Sequence, residues 1–460
     1  MASQLHVLIV GAGVGGLMLA VLLEQAHISY EIFEKAKELK PLGSALSLHN
    51  SLMVIFEQLD MYQDILGISK PFGALHFLKE DMSVTGSLLA RRPGVDCAEH
   101  YGDYNRVVGR PDLISLLLKR VPPHKLHYNK RVLTTKQDEN EVILQCSDST
   151  SYAGSILVGA DGAYSSVRQN LYKKLAMVGA LPKDDAKPLG YSYDCVVGIS
   201  DRLDPNIYPV VLEEYCEFQA VLANDSPYTW WFMPLVGNKI SWMVTHDVRK
   251  HGTDEDRNFR FSEWSPIAAM EMCQQVRHLP CPYGGTVGDI IDHTSADLIS
   301  KVMLEDKFFS TWYSGRTVLL GDACHKMVPF GGQGANMAIL GALHLTNLLY
   351  DMYSVSQDEI TQVFRKYYDM RWKPAKTSVD GSKKTGILLH KKGVVADSVR
   401  FMFLNWIPNW AIKLGGDKLN ARRDQISFLP YVKLRGSYSG SQVNPPSRRI
   451  VHKAYNARAV

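Results

Sequence analysis

The chain of 460 residues is too long for one ordinary hydrophobic core, and it predicts two or three domains. Apolar residues make up 46% and charged residues 21%, a globular mix that excludes disordered and fibrous proteins. The net charge of +4 is small for this length and does not indicate a nucleic-acid-binding protein.

The first 35 residues predict a strand, a helix and a second strand. Leu5–Val10 is a continuous apolar strand, Gly15–Gln25 is a helix rich in leucine and alanine, and Tyr30–Glu34 is the second strand. Continuous apolar strands that alternate with helices are typical of a parallel sheet covered on both faces.

Between the first strand and the helix lies the glycine motif GxGxxG, formed by Gly11, Gly13 and Gly16. Gly11 permits a tight turn, Gly13 lets the backbone approach a pyrophosphate, and Gly16 lets helix and strand pack closely. The amides and dipole of the helix N-terminus then stabilise the phosphates. Glu34, at the end of the second strand, stands where an acid accepts hydrogen bonds from an adenosine ribose. The motif predicts a dinucleotide site without saying which dinucleotide it binds.

The texture of the sequence changes between about residues 182 and 300. Short alternating runs at Tyr228–Leu235 and Lys239–Val248 predict an antiparallel hairpin. An apolar strand at Thr317–Leu320 follows. Helices are predicted at Ser51–Leu59, Arg110–Val121 and Gln333–Tyr350. The dinucleotide domain is therefore expected to be interrupted by a mainly antiparallel domain and then resumed.

Two further motifs place an acid beside a glycine at the end of a strand. They are ILVGADGAYSSVR at Ile156–Arg168, and GDACH at Gly321–His325 followed by PFGGQGAN at Pro329–Asn336. Together with the GxGxxG motif, and in the same order along the chain, these two motifs resemble those of the class A FAD-dependent monooxygenases. Members of that family have the para-hydroxybenzoate-hydroxylase-like fold. The resemblance covers about residues 5–355. It is greatest to the fungal branch of terpenoid and indole-alkaloid epoxidases, through features such as GSALS at Gly43–Ser47, FEQL at Phe56–Leu59 and Lys326 after GDACH.

The pattern of the residues, together with the resemblance over its range, predicts an α/β fold with three parts. These are a Rossmann-type FAD-binding domain (1–75, 105–180 and 301–355), an inserted, mainly antiparallel β-sheet substrate domain (76–104 and 181–300), and a C-terminal helical region with a basic tail (356–460). Family members often continue the last motif with Glu-Asp-Ala, whereas this chain has Ile339-Leu340-Gly341-Ala342. We expect this difference to alter helix packing or the flavin potential.

The resemblance also implies which residues bind FAD. Asp322 would hydrogen-bond the ribityl chain, and the helix that opens near Gly332–Asn336 would point its N-terminus at the flavin pyrimidine edge. Asp161 and Gly162 would lie near the pyrophosphate and the cleft for NAD(P)H. The complete set of expected cofactor-binding residues is Gly11, Gly13, Gly16, Glu34, Ser47, Arg110, Asp161, Asp322 and Ala335. From the residues alone, Arg110 is equally well a solvated arginine that caps a surface helix.

The implied activity is that of a monooxygenase. NAD(P)H would reduce the FAD, O₂ would react with it, and a flavin C4a-hydroperoxide would epoxidise or hydroxylate a hydrophobic terpenoid or indole-type compound. No second GxGxxG follows a strand, since GGTVG at Gly284–Gly288 lacks the spacing and the helix. A single dinucleotide fold fits an enzyme that NAD(P)H visits and leaves.

The antiparallel region is rich in aromatic residues, which favours an apolar, ring-bearing substrate. Alternation places Trp230 and Phe232 on one face and Trp231 and Met233 on the other, and we expect one face to cover the flavin. Weak candidates for a catalytic acid or base are Tyr191, Tyr193 and His246.

Two alternatives remain open at this point. A phenol-type hydroxylase of aromatic acids should carry an arginine or lysine inside the sheet, but Tyr228–Val248 offers only Lys239, at a turn. A non-catalytic FAD-binding redox protein would consume neither NADPH nor O₂.

The seven cysteines are odd in number and scattered, which indicates free thiols in a reducing compartment, hence a cytoplasmic protein without a disulfide framework or metal site. The N-terminal apolar run is predicted to be a strand, not a signal peptide. The segment Val399–Leu414 is predicted to be a helix packed on its own domain. Because it combines tryptophan and leucine with basic residues, the alternative is an interfacial helix at a membrane surface. From Lys413 to Val460 ten Lys/Arg face two acids, which predicts a solvated, partly disordered tail, with a surface that meets anionic lipid as the alternative.

Overall fold

The computed structural model describes residues 5–92, 95–248 and 266–452. The parts of the expected domains at 1–4, 93–94, 249–265 and 453–460 lie outside the described residues. The strands are β1 (His6–Val10), β2 (Ser29–Phe33), β3 (Ala45–Leu48), β4 (Ser69–Leu78), β5 (Val84–Leu89), β6 (Arg91–Arg92), β7 (Val95–Asp96), β8 (Arg106–Gly109), β9 (Leu126–His127), β10 (Val132–Gln137), β11 (Val142–Cys146), β12 (Ser151–Gly154), β13 (Ile156–Gly159), β14 (Gly190–Ile199), β15 (Cys216–Leu222), β16 (Tyr228–Leu235), β17 (Lys239–Asp247), β18 (Ser300–Phe308), β19 (Tyr313–Ser314), β20 (Thr317–Leu319) and β21 (His325–Lys326).

The helices are α1 (Val14–Gln25), α2 (Met53–Gln58), α3 (Tyr62–Gly67), α4 (Cys97–Tyr101), α5 (Arg110–Leu118), α6 (Ser166–Met177), α7 (Lys183–Ala186), α8 (Pro266–Val276), α9 (Val287–Asp292), α10 (Gly334–Tyr350), α11 (Gln357–His390), α12 (Val394–Asn405) and α13 (Asn409–Leu419). Among the described residues, none of these helices has the length and apolar character needed to cross a membrane.

A six-stranded sheet in the order β19-β20-β13-β1-β2-β9 forms the first layer. Its strands run parallel except for β19, which pairs antiparallel with β20. Val7, Leu8 and Ile9 of β1 are fully buried because helices and the β10-β11-β12 sheet cover both faces. The carboxyl ends of β1, β2, β13 and β20 all reach one edge of the sheet, and each is followed by a predicted site motif.

The second layer is a ten-stranded sheet in the order β21-β18-β14-β17-β16-β15-β4-β8-β3, with β5 paired to β4. Its pairs are antiparallel except for β15 with β4. The predicted hairpin is present as β16 and β17, and the predicted α/β fold class with a mainly antiparallel second sheet is confirmed. The sheet also takes β3 and β8, which lie in sequence segments expected to belong to the FAD-binding domain, so the two layers share strands near the site.

The two faces of this sheet have different neighbours. Trp230, Phe232 and Trp242 are fully buried in a cluster with α8 and α9. Trp231 points to the opposite face, into a cluster that contains Phe330 from the loop before α10. The face that carries Trp231 is therefore the one turned toward the edge of the first sheet at which the predicted site motifs lie.

The chain after α13 differs from the predicted solvated tail. Ile426 and Phe428 are buried against the first domain. Gln58 donates from Nε2 to the carbonyl of Ile426 (3.1 Å), and its Oε1 accepts the Ile426 amide (2.7 Å). Asp424 pairs with His344 of α10 at 3.1 Å. Side-chain amides and ion pairs thus satisfy the backbone of an irregular segment, which composition and charge alone do not reveal.

Candidate active site

The glycine loop after β1 has the geometry that the motif predicts. Gly11 has φ +100°, and a Cβ there would lie 2.6 Å from the carbonyl oxygen of Ala160. A Cβ on Gly16 would lie 2.0 Å from the carbonyl oxygen of Gly11. A Cβ on Gly13, in contrast, would have no heavy atom within 4 Å. Gly11 and Gly16 are therefore required for close packing within the protein, whereas Gly13 leaves the backbone open toward a ligand.

Glu34 ties this loop to the end of β2. Its Oε2 accepts the amide of Ala12 and its Oε1 the amide of Ala36, both at 2.9 Å. Each carboxylate oxygen keeps a further lone pair, so the side chain can still accept ribose hydroxyls. Glu34 also lines a cavity of about 470 Å³ at this end of the edge.

A second cavity, of about 340 Å³, continues from the first toward α10. The two cavities share four lining residues, namely Gly13, Arg110, Ala160 and Gly162. Together they form one trough, which we call the cofactor trough. It runs from Glu34 past the N-terminus of α1 to Asp322 and Ala335 at the N-terminus of α10. An extended dinucleotide matches such a two-lobed shape.

Arg110 lies at the junction of the two lobes. Its Nη1 donates to the carbonyl of Leu42 at 2.8 Å. Burial lowers the pKa of its guanidinium, although the carboxylates of Asp322 and Glu34 act in the opposite direction. Gly43, with φ +117°, lets the chain pass over this side chain, since a Cβ there would lie 3.0 Å from Arg110 Cδ. The arginine is a half-buried cation inside the trough and not a solvated helix cap.

Asp161 lies just before α6, whose N-cap residue is Ser165, and it lines the first lobe of the trough. Its Oδ2 accepts the amide of Ser166 (2.7 Å) and the hydroxyl of the same residue (2.9 Å). Its Oδ1 is buried without a hydrogen-bond partner among the described residues. A buried acceptor of this kind is costly unless a ligand or water donates to it, so Asp161 fits a cofactor-lined site.

Asp322 and Lys326 form an ion pair at the α10 end. Gly321, with φ +64°, makes the turn that presents Asp322, and Lys326 Nζ donates to Asp322 Oδ2 at 2.9 Å. Burial disfavours the charged form of Lys326, but the carboxylate of Asp322 outweighs it, and the pKa of Lys326 is raised. Lys326 therefore stays positive inside the trough. Sequence reasoning assigned it no role.

Asn336 is a second residue that sequence reasoning assigned no role. It is buried at 2% exposure, and its Nδ2 donates to the carbonyls of Ser47 and Gly332, both at 2.9 Å. Its Oδ1 accepts the amide of His49 at 2.9 Å. These bonds fasten β3 to the N-terminus of α10 and bring Ser47 and Ala335 to the same wall. A single asparagine within a glycine-rich run gives no sequence signal for such a long-range tie.

Two of the helix N-termini at the trough, those of α1 and α10, carry no side-chain cap from the described residues. Gly13 precedes α1 and Gln333 precedes α10, and neither forms a capping hydrogen bond. The first-turn amides of both helices are therefore available to phosphate or to a flavin carbonyl, with the dipoles favouring negative charge. In the segment Ile339–Ala342, where family members often carry Glu-Asp-Ala, Gly341 packs closely, since a Cβ there would lie 2.7 Å from Leu320 Cδ1.

The three candidates for proton transfer lie in different surroundings. Tyr193 is buried on the face of the second sheet that carries Trp231. Its ring centroid lies 5.1 Å from that of Phe330 and 4.4 Å from that of His390. Tyr191 lies half-buried near the end of the same strand. His246 lies on the opposite face, where its Nδ1 is 3.3 Å from Asp194 Oδ1. The structure thus places Tyr193 in the apolar cluster that includes Val328 of the trough lining, and His246 on the opposite face of the sheet.

The nine predicted cofactor-binding residues are brought to one place. Glu34 and Asp161 line the first lobe, Ser47, Asp322 and Ala335 the second, and Arg110 lines both. Within the glycine loop, Gly13 lines both lobes and Gly11 lines the first, while Gly16 lies behind the loop. Among the described residues, no group of three or more potential ligands could hold a metal ion.

Comparison with known proteins places this geometry in a family. The family model described as FAD binding domain matches residues 4–180 and 286–379, more than half of the chain. The chain is 27% identical to the FAD-dependent monooxygenase atmM of Aspergillus flavus over 441 residues, covering 93% of this chain and 87% of the relative. It is 27% identical to the FAD-dependent monooxygenase paxM of Penicillium paxilli over 457 residues, covering 94% and 89%.

Solved structures share the fold. Klebsiella pneumoniae HpxO, complexed with FAD and uric acid, matches with a TM-score of 0.70 at 20% identity, covering 90% of this chain and 96% of that one. The 2,6-dihydroxypyridine-3-hydroxylase of Arthrobacter nicotinovorans matches with a TM-score of 0.66 at 16% identity, covering 86% and 95%. The predicted cofactor, FAD, and the predicted resemblance to the FAD-dependent monooxygenases are confirmed. The chain belongs to the FAD binding domain family.

Proposed function

We propose that this protein is an FAD-dependent monooxygenase that uses NAD(P)H and O₂ to epoxidise or hydroxylate a hydrophobic terpenoid or indole-type secondary metabolite. The observation that carries the proposal is the position of the cofactor trough. Its α10 end is lined by Val328, which packs in the same apolar cluster as Trp231 and Tyr193 of the second sheet. The α10 end of the trough, where the flavin ring would lie and react, therefore adjoins the apolar cluster of Trp231 and Tyr193.

Each lobe of the trough would hold one part of FAD. The open backbone at Gly13 and the first-turn amides of α1 would bind the pyrophosphate, and Glu34 would accept the ribose hydroxyls. Asp322 would accept a hydroxyl of the ribityl chain. FAD, when bound, supplies the chemistry of electron uptake from NAD(P)H and of oxygen activation.

The uncapped N-terminus of α10 and the ion pair of Asp322 with Lys326 both lie at the α10 end of the trough. The uncapped amides of α10 and the ammonium of Lys326 converge there, and Asn336 holds the helix against β3. Negative charge that develops at this end is stabilised by groups already in place, so little reorganisation is needed.

The residues around the apolar cluster would orient the substrate and exclude water. Phe330, Trp231 and Tyr193 form edge or tilted ring contacts, and aromatic walls of this kind suit a fused-ring or prenylated compound. We propose Tyr193 as the protein group best placed to deliver or hold a proton, because its ring lies on the trough side of the sheet. We also propose the domain boundaries and the nine cofactor-binding residues that were expected from the sequence.

The nicotinamide coenzyme is proposed as a transient partner. In the described part of the chain, one parallel sheet with one glycine-rich turn accounts for the dinucleotide fold. The proposed location is cytoplasmic, with peripheral contact to a membrane through 399–414.

Product analysis tests the proposed activity. The purified yellow protein is incubated with NADPH or NADH, air and a panel of prenylated indoles, polyprenyl aromatics and phenols. We expect a ligand in the first two groups to stimulate both coenzyme oxidation and O₂ uptake, and to gain one oxygen atom by mass. Turnover of phenols alone would favour an aromatic hydroxylase, and flavin binding with no coupled O₂ uptake would indicate a non-catalytic redox protein.

A further inference from the structure

Helices α12 and α13 carry exposed apolar side chains that the proposed activity does not explain. Helix α12 has an inner stripe, Ala396, Arg400 and Leu404, that is buried. A second stripe on the same helix is exposed although it is also apolar, and its members are Val395, Val399, Met402 and Trp406. The spacing of four, three and four residues places these side chains on one helical face. A contiguous exposed apolar stripe on a helix usually marks a contact surface, and nothing among the described residues covers this one.

Helix α13, which begins four residues after the end of α12, also carries exposed apolar side chains. Trp410 and Leu414, four residues apart, are exposed as well. Trp406 and Trp410 are 69% and 70% exposed, and they are the two exposed tryptophans among those that the structure describes. We call these six side chains, Val395, Val399, Met402, Trp406, Trp410 and Leu414, the outer stripe.

The outer stripe is held firmly by the protein beneath it. Arg400 Nη1 donates to the carbonyl of Leu388 at 3.1 Å, and Nη2 pairs with Asp397. Asn405 Nδ2 donates to the carbonyl of Thr85 in β5 at 2.9 Å. Asp417 of α13 accepts from the hydroxyl of Tyr101 at 3.0 Å. The exposure of the apolar side chains is therefore a property of a docked helix pair and not of a frayed end.

The charges around the outer stripe are mostly positive. Residues 391–419 contain five Lys/Arg and two acids, a formal charge of +3. Both acids are engaged within the protein, Asp397 by Arg400 and Asp417 by His100. Lys391 and Lys392 precede the stripe and Lys413 and Lys418 accompany its end, all four exposed. Tryptophans beside lysines are what an interfacial helix presents to anionic headgroups.

We propose that the outer stripe docks on the surface of an anionic lipid bilayer, with the tryptophans in the interface and the lysines against the headgroups. This names the residues and the lipid chemistry of the peripheral contact proposed above. The docking itself does not require the proposed activity, but its use for substrate uptake rests on it. Leu404, on the inner side of α12, packs in the apolar cluster of Trp231 and Phe330. A bilayer at the outer stripe would thus lie one helix away from the substrate-side surface.

Vesicle flotation of the full-length, flavin-loaded protein tests the proposal. The vesicles are phosphatidylcholine alone, and phosphatidylcholine with about one third phosphatidylserine. We expect binding to the anionic vesicles, weaker binding to the neutral ones, and loss of this difference at high salt. Trp406→Ser with Trp410→Ser should weaken binding by about tenfold or more. Lys413→Ala with Lys418→Ala should weaken only the anionic preference, by roughly fivefold per lysine.

The matched control removes exposed apolar side chains elsewhere. Met177→Ser with Val178→Ser changes two residues at the end of α6 that are exposed to a similar degree, 73% and 75%, and should leave vesicle binding unchanged. The proposal is overturned if the wild-type protein floats with neither vesicle. It is equally overturned if the control pair and the tryptophan pair weaken binding alike, or if the tryptophan pair converts a stable dimer to a monomer.

The flavin spectrum and NADPH oxidation with detergent-solubilised substrate are measured on the same samples. Normal vesicle binding without substrate-stimulated oxidation would contradict the proposed function and leave the docking intact. Normal oxidation without vesicle binding would contradict the docking alone.

Discussion

Gly13 and Gly16 should respond differently to the addition of a side chain, one in FAD binding and the other in the stability of the protein. A Cβ on Gly16 would lie 2.0 Å from the carbonyl oxygen of Gly11, so the helix or the turn must move by about 1 Å or more to reach an ordinary contact distance. Overpacking against rigid backbone costs ~1–3 kcal/mol or more. A Cβ on Gly13 would meet no heavy atom within 4 Å, and its backbone, at φ −78° and ψ −177°, is extended and open to any residue.

We therefore expect Gly16→Ala to lower the melting temperature of the apoprotein by several degrees, roughly 2–4 °C for each kcal/mol lost in a domain of this size. Gly13→Val should leave the melting temperature of the apoprotein within about 1 °C, because a surface substitution without contacts costs little. Its branched side chain would nevertheless occupy the space through which a pyrophosphate approaches the backbone. FAD affinity should fall by about 100-fold or more, equivalent to ~2.7 kcal/mol.

The assay is differential scanning fluorimetry of both variants with and without FAD, together with fluorescence titration of the apoproteins. The reasoning is refuted if Gly13→Val retains a full complement of flavin, or if it destabilises the apoprotein as much as Gly16→Ala does. Either result would mean that Gly13 serves the fold and not the cofactor.

Three further substitutions probe the α10 end of the trough. Asp322→Ala should release the flavin or leave it unreducible by NADPH, and a variant that keeps fully reducible FAD would contradict the assignment. Asn336→Ala removes two donors and one acceptor at a buried position. It should cost about 3 kcal/mol of stability at ~1 kcal/mol for each group left unpaired, whereas Asn206→Ala, at an exposed site, should cost almost nothing. Lys326→Met should lower the flavin reduction potential by about 30 mV, equivalent to ~1.4 kcal/mol for a two-electron couple. Because the pKa of Lys326 is raised, the difference in flavin potential between the wild type and this variant should persist from neutral to mildly alkaline pH. It should shrink only as the pH rises through the pKa of the lysine. Spectroelectrochemistry at several pH values measures this.

The parts of the site that could be predicted are those that follow one another along the chain. The turn at Gly11, the packing of Gly16 and the acid at Glu34 depend on a single β-α-β unit, whose periodicity and spacing are written locally. The hairpin of β16 and β17 was predictable for the same reason, since alternation and a short turn define it. The convergence of Asp161 and Asp322 on this unit required the family resemblance, because nothing in either motif specifies that β13 and β20 join β1 in one sheet.

The rest depends on contacts between distant segments. Asn336 binds Ser47 across 289 residues of sequence, and the buried position of Arg110 needs the positive φ of Gly43. Strand alternation separated Trp230 from Trp231 correctly, but it could not say which face met the trough, because that depends on where α8 and α9 pack. The predicted solvated tail was wrong for residues 423–428, which are buried, because side chains such as Ile426 outweigh the basic composition around them.

The packing of α11 joins the trough to the outer stripe. A Cβ on Gly331 would lie 2.4 Å from Ser382 Oγ, and a Cβ on Gly386 would lie 2.6 Å from Phe330 Cδ2. The loop before α10 therefore lies tightly against α11, with small residues at both contacts. The same helix ends at His390, whose Nε2 is 2.9 Å from Thr245 Oγ1 of the second sheet, and α12 begins four residues later. With the hydrogen bond from Arg400 of α12 to the carbonyl of Leu388 in α11, a continuous chain of contacts runs from α12 through α11 to the loop before α10. If the outer stripe docks on a bilayer as proposed, this chain of contacts lies between the bilayer and Phe330.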